Sequence, residues 1–182
     1  SELLGNFQTD QQSRSEWAKS YVKGLDLLGL KIEERQQPWA GSSGVFHPIL
    51  TESIVRFQAQ AMGEIYPASG PVRTKILGKM SVEKTEQALR VENEMNYLLT
   101  EEMTEYRDET EQMLFKLPLA GSAFKKVYYD PIMERPCAMF VPAEDFVVSY
   151  GASDLMTCER YTHVMKKSYN DIAKLMNNGF YR

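Results

Sequence analysis

Cysteine and histidine are scarce in this chain: it has two of each in 182 residues. Cys137 and Cys158 stand far apart with no CxxC-type partner, so neither a zinc site nor a disulfide framework is encoded. We therefore expect reduced thiols and assembly in a cytosol. No apolar run approaches the ~20 residues of a membrane span. The opening stretch, SELLGNFQTDQQSRSE, lacks the apolar centre of a secretion signal. The absence of an initiator Met suggests processing or a longer parent chain. A dense basic surface, of the kind that grips DNA phosphates tightly, is missing as well.

Hydrophobic residues make up 43% and charged residues 25%, which is an ordinary globular composition. A core of this size can stand without disulfides. The net charge of −4 is uneven. Residues 81–112 hold ten acidic and three basic side chains, whereas the flanking regions are weakly positive.

Periodicity divides the chain. Over residues 14–30, Trp17, Tyr21, Leu25 and Leu28 recur at helical spacing, with Ser13 or Ser15 as a cap and Gly29 as a stop. A second helix is predicted from Pro48 to Ile65, with Ile54, Ala61 and Ile65 on one face beside Phe57. The longest helical region runs from Ser81 to Leu117. Its stripe is Ala88, Val91, Met95, Leu98, Leu99, Met103, Tyr106, Met113 and Leu114. Such a length predicts a break near Thr100–Thr104, and Pro118 with Gly121 should end the helix. The period then becomes strand-like. Residues 122–130 and 137–148 read as a β-hairpin, 159–167 as a third strand, and 168–179 as a short helix capped by Ser168 with Asp171. The fold class is α+β, mainly α-helical, with helices in 14–117 and a small antiparallel sheet and short helix in 122–179.

The loop PWAGSSGVFHP, residues 38–48, is the one stretch that resembles catalytic chemistry. Ser43 with His47 would make a nucleophile and base. A strained elbow reads GxSxG, however, and here the order is GSSG with no strand before it. The loop also lacks the Lys of a phosphate cradle. Trp39, Gly41, Gly44, His47 and Pro48 therefore read as a structural joint between helices, and no catalytic, metal or cofactor residue is assigned. His163 alternates with Tyr161 and Met165 as a packed strand residue. The acidic run 101–111 reads as a solvated face, and the ten methionines as adaptable packing. Lys125-Lys126 and Lys166-Lys167 fall near the ends of neighbouring strand candidates and form a possible DNA-proximal basic patch.

Four blocks stand in a distinctive order. They are PWAGSSGVFHPILTESIVRFQAQAMGEIYPASGPVRTKI, MNYLLTEEMTEYRDETEQML, LPLAGSAFKKVYYDP and FVPAEDFVVSYGASDL. Together, from about Glu16 to Tyr169, the chain resembles the portal, or head-to-tail connector, proteins of tailed bacteriophages. The resemblance implies an N-terminal, wing-type portion of a subunit, with stem and clip lying outside this chain. It implies a typically dodecameric ring at one capsid vertex, assembled in the host cytoplasm. The implied partners are terminase, capsid or scaffold, tail adaptors and double-stranded DNA sliding through non-specifically, with no membrane and no cofactor. A weakly acidic channel wall suits DNA that must not stick. Two rivals remain: a small serine hydrolase using Ser43 and His47, and a non-viral helical adaptor module. A fragment separated from its stem should associate weakly at most.

Overall fold

The structure, a computed structural model, describes residues 2–29, 39–42, 47–131, 133–179 and 181. Helices α1 (Glu2–Ser13), α2 (Ser15–Leu28), α3 (Ile49–Ile65), α4 (Val82–Tyr97) and α5 (Glu105–Ala120) come first. Strands β1 (Phe124–Asp130), β2 (Arg135–Val141), β3 (Phe146–Val148) and β4 (Tyr161–His163) and helix α6 (Tyr169–Asn177) follow. The class is α+β, with helices predominating over two antiparallel two-stranded sheets, β1–β2 and β3–β4. The chain divides into two compact units: Ser1–Ser15 with Glu144–Arg182, and Glu16–Ala143.

In the larger unit, the face predicted for α2 is the buried one. Trp17 and Tyr21 stack at 5.2 Å, and the Trp17 indole N–H donates to the Ala120 carbonyl at 2.8 Å. Tyr21, Ala120 and Ala143 form a small core flanked by Leu25, Leu119 and Phe124. That contact explains a departure from expectation. Pro118 lies inside α5 instead of ending it, because the last turn is held by Trp17 and by the buried Ala120. The helix stops at Gly121, whose φ of 76° a side chain would disfavour.

Helix α3 packs on α5 through Ile54 (1% exposed), with Gln58 donating to the Glu111 carbonyl at 3.0 Å. Ile65, expected on this face, and Phe57, expected beside it, are exposed at 38% and 40%. Ile54 and Ala61 do lie on the packed side, with Gln58 between them.

The long helix breaks where its length predicted. Residues Leu98–Glu102 form one π-helical turn, closed by Met103 N–H to the Leu98 carbonyl at 2.8 Å. Met103 is buried and pins the turn. The stripe predicted along α4 is not core, however. No α4 residue is buried, and Met95 is 40% exposed and Val91 54%. A polar row fastens this helix. Asn96 accepts the Val72 N–H at 2.9 Å and donates to the Val72 carbonyl at 3.2 Å. Glu92 accepts both the backbone N–H and the hydroxyl of Thr74, at 2.9 and 3.0 Å. Gly70 lets the segment lie this close, since a Cβ there would meet the Asn96 amide at 2.7 Å.

The hairpin pairs Phe124 with Val141 and Asp130 with Arg135. It is shorter than 122–148, because Pro142 and the residues after it end β2 at Val141. Phe146–Val148 pairs instead with Tyr161–His163, in the smaller unit. The third strand is thus a partner of β3 and not an addition to the hairpin.

The smaller unit contains a helix, α1, that no sequence periodicity announces. Polar α1 has no apolar repeat, so no helix was predicted there. Ser13, expected as a cap, donates to the Asp10 carbonyl and accepts the Tyr150 N–H. Buried Asp10 receives two bonds from Arg160, at 2.7 and 2.9 Å. Arg14 donates to the Glu144 and Phe146 carbonyls at 2.8 and 3.0 Å. Val147 is 1% exposed, and Phe146 stacks on Tyr161. Ser168 caps α6 and exchanges bonds with Asp171, as its sequence predicted.

Candidate functional site

The best-built polar constellation is on α5, where it faces β2 and β1. Side chains one helical turn apart share a face with an axial spacing of about 6 Å, close to the ~6.7 Å between alternate residues of a strand. The first turns of α5 use this match. Glu105 accepts the Ala138 N–H at 3.3 Å, and Glu109, four residues on, accepts the Phe140 N–H. Arg135 closes the row with a hydrogen bond to Glu105 Oε1 at 3.0 Å and an ion-pair contact to its Oε2 at 2.9 Å. The third outward position of β2 is Pro136, which has no N–H to satisfy. Every outward donor of that edge is thereby accounted for.

Burial alone would push the Glu105 carboxyl up. The Arg135 and Ala138 bonds outweigh it and hold the group below its ordinary range. Arg135 is raised in turn, chiefly by its bond to Glu105. The acidic run 101–111 is therefore only partly a solvated face, since Glu105 and Glu109 serve as backbone acceptors.

Lys125 lies half-buried on the same face. Its ammonium donates to Thr110 and sits 3.9 Å from the Tyr106 ring centre. Desolvation lowers its pKa and Glu109 partly offsets this. Buried Thr110 also donates to the Tyr106 carbonyl at 2.6 Å, and the Tyr66 hydroxyl lies 3.3 Å from it. Burial raises the Tyr66 phenol. Chemically this is a set of hydrogen bonds that ties α5 to β1 and to Tyr66, the residue that follows α3.

The four candidate DNA-proximal lysines are not gathered on one sheet. Lys125 and Lys126 are in β1 of the larger unit, and Lys166 and Lys167 follow β4 in the smaller one. Lys126, Lys166 and Lys167 are exposed. The strands expected as neighbours belong to different sheets, because β2 ends at Val141, before Pro142.

In the structural loop, the Trp39 carbonyl accepts the Ser42 N–H at 3.1 Å across a turn in which Gly41 has φ of 87°. Trp39 is 67% exposed. Ser43 and Gly44 lie outside the described residues. His47 is exposed, and Pro48 immediately precedes α3, its carbonyl accepting the Glu52 N–H at 3.0 Å. A depression of about 340 Å³ in the smaller unit is lined by Asp10, Ser149, Thr157, Cys158 and Arg160, with Asp10 and Arg160 spent on each other. Among the described residues, no group of three or more His, Cys, Asp or Glu is placed to hold a metal. Nor is any described helix long and apolar enough to cross a membrane.

Helical and strand periods give the elements but not which carboxylates meet a strand edge. Glu105, Glu109, Asp10 and Arg160 carried no local signal beyond the i,i+4 spacing of the first two. No protein-family profile matches this chain, and no curated protein matches it either.

Proposed function

We propose that this chain is a structural subunit of a phage portal ring, contributing wing-type mass to the conduit for DNA packaging and ejection at the head–tail junction. The observation that carries the reading is surface left for a neighbour. Helix α4 has sixteen residues and none is buried. Leu77 and Met80, just before it, and Val82, its first residue, are 82%, 77% and 78% exposed. A lone monomer gains nothing from such a face, whereas a ring subunit covers it with the next copy. The ordered blocks that resemble portal proteins fall on α3, α5, the β1–β2 hairpin and β3. The work of such a subunit is mechanical, with the chemistry of packaging supplied by a terminase partner.

DNA would pass with few contacts. Lys126, Lys166 and Lys167 are the exposed cations of the candidate set, and Lys125 would first have to leave Tyr106 and Thr110. Titration of labelled duplex tests this part. We expect weak binding that falls steeply with salt and has no sequence preference. Tight sequence-specific binding would overturn it.

A further inference from the structure

We propose that the free edge of β1 is a docking strand for a second copy of this chain, paired antiparallel about Tyr128. The two edges of the hairpin are treated differently. On β2 the outward positions Pro136, Ala138 and Phe140 are silenced, by proline in the first case and by Glu105 and Glu109 in the others. Their cross-strand partners are Tyr129, Val127 and Lys125. In an antiparallel ladder such partners also point outward. Among the described residues no strand pairs with that edge of β1. The edge is seven residues long and rich in strand formers, with Val127 and Tyr129 exposed at 64% and 63%. An edge of this kind takes up another strand.

The charge pattern selects the occupant. The strand reads FKKVYYD, with lysines near its start and an acid at its end. When two copies pair about Tyr128, Lys126 of each lies directly opposite Asp130 of the other, and Val127 opposite Tyr129. The outward groups of Val127 and Tyr129 then form the hydrogen-bonded pairs. Sliding the centre to Val127 removes the charge pairs, and sliding it to Lys126 sets like charges face to face. Opposite charges across a pair stabilise and like charges destabilise, so one register is favoured. Asp130 is held at that position by accepting the Met133 N–H at 3.1 Å. The contact is two-fold, so it cannot be the head-to-tail contact that closes a ring. It stands or falls independently of the portal reading.

The test uses disulfide trapping of the whole chain in a Cys137→Ala, Cys158→Ala background, because Cys137 lies directly across from Tyr128 in the hairpin. Residue 128 and its copy would form a non-hydrogen-bonded pair, with Cα atoms ~4.5 Å apart and within disulfide reach. We expect Tyr128→Cys to dimerise under mild oxidation at least tenfold faster than Tyr169→Cys, a highly exposed control. Val127→Cys alone should trap poorly, but it should cross-link when mixed with Tyr129→Cys. Adding Val127→Pro removes an outward N–H that the hairpin does not use, and should abolish trapping without changing the circular dichroism melt. Lys126→Glu should slow it as well. Trapping no faster than at residue 169, or unaffected by Val127→Pro, would overturn the proposal. So would an edge that ignores its own copy but binds an added unrelated strand peptide.

Discussion

At the residue scale, stability rests on a few acceptors that meet backbone donors. Removing Glu105 or Glu109 leaves a strand N–H without its partner, so Glu105→Ala or Glu109→Ala should each cost about 1–3 kcal/mol. Exposed Glu101→Ala should stay within about ±0.5 kcal/mol. Urea melts separate the two, and equal losses at all three positions would contradict the assignment. The pH dependence follows from the sign of the shift. Glu105 is depressed in the folded protein, so its contribution is complete above the ordinary carboxylate value and fades as pH falls through the lower folded value. Glu92, through its Thr74 bonds, and Asp171, through Ser168, shift in the same sense. Glu105→Gln should therefore flatten the acid limb of a stability–pH profile while changing little of its shape above pH ~6. In the smaller unit, Arg160→Met strands a buried carboxylate. We expect a loss near the lower end of roughly 3–5 kcal/mol, since Arg160 is partly solvated. Asp10→Asn combined with Arg160→Met should recover part of it in the same melts.

At the element scale, helix α4 behaves differently from the helices around it. Met103, which closes the π-turn, is 4% exposed and Met95 on α4 is 40% exposed. Met103→Ala should cost about 2–5 kcal/mol and Met95→Ala much less, as read from denaturant midpoints. Reversal of that order would show that α4 is packed after all. Much of the element plan was legible in the sequence. Trp17, Tyr21 and Leu25 marked the buried face of α2, and the excess length of residues 81–117 forecast the break at Leu98–Glu102. Other parts were not legible, for identifiable reasons. The α4 stripe of Val91 and Met95 has the right period but no surface to meet, because Glu92 and Asn96 on the adjoining face carry the anchoring bonds. Polar α1 is helical through tertiary ties such as Asp10 to Arg160, which no local pattern announces. Strand-like composition continues past Pro142 while the pairing partner changes from β1 to β4, so composition alone makes the hairpin too long. The same continuity of composition places Lys125-Lys126 and Lys166-Lys167 on neighbouring strands, whereas β1 and β4 belong to different sheets and units.

At the scale of the whole molecule, the buried apolar set is small for 182 residues. Ten hydrophobic side chains are buried among the described residues, and none of them is on α4. On the proposed portal reading, the next copy in the ring covers the α4 surface. The most direct measurement is the mass and symmetry of the protein at its full natural length, by light scattering and electron microscopy of the same sample. We expect a closed ring with rotational symmetry, whose assembly is lost when Leu77, Met80 and Val82 are replaced together by Asp. A full-length protein that stays monomeric at high concentration would contradict the portal reading.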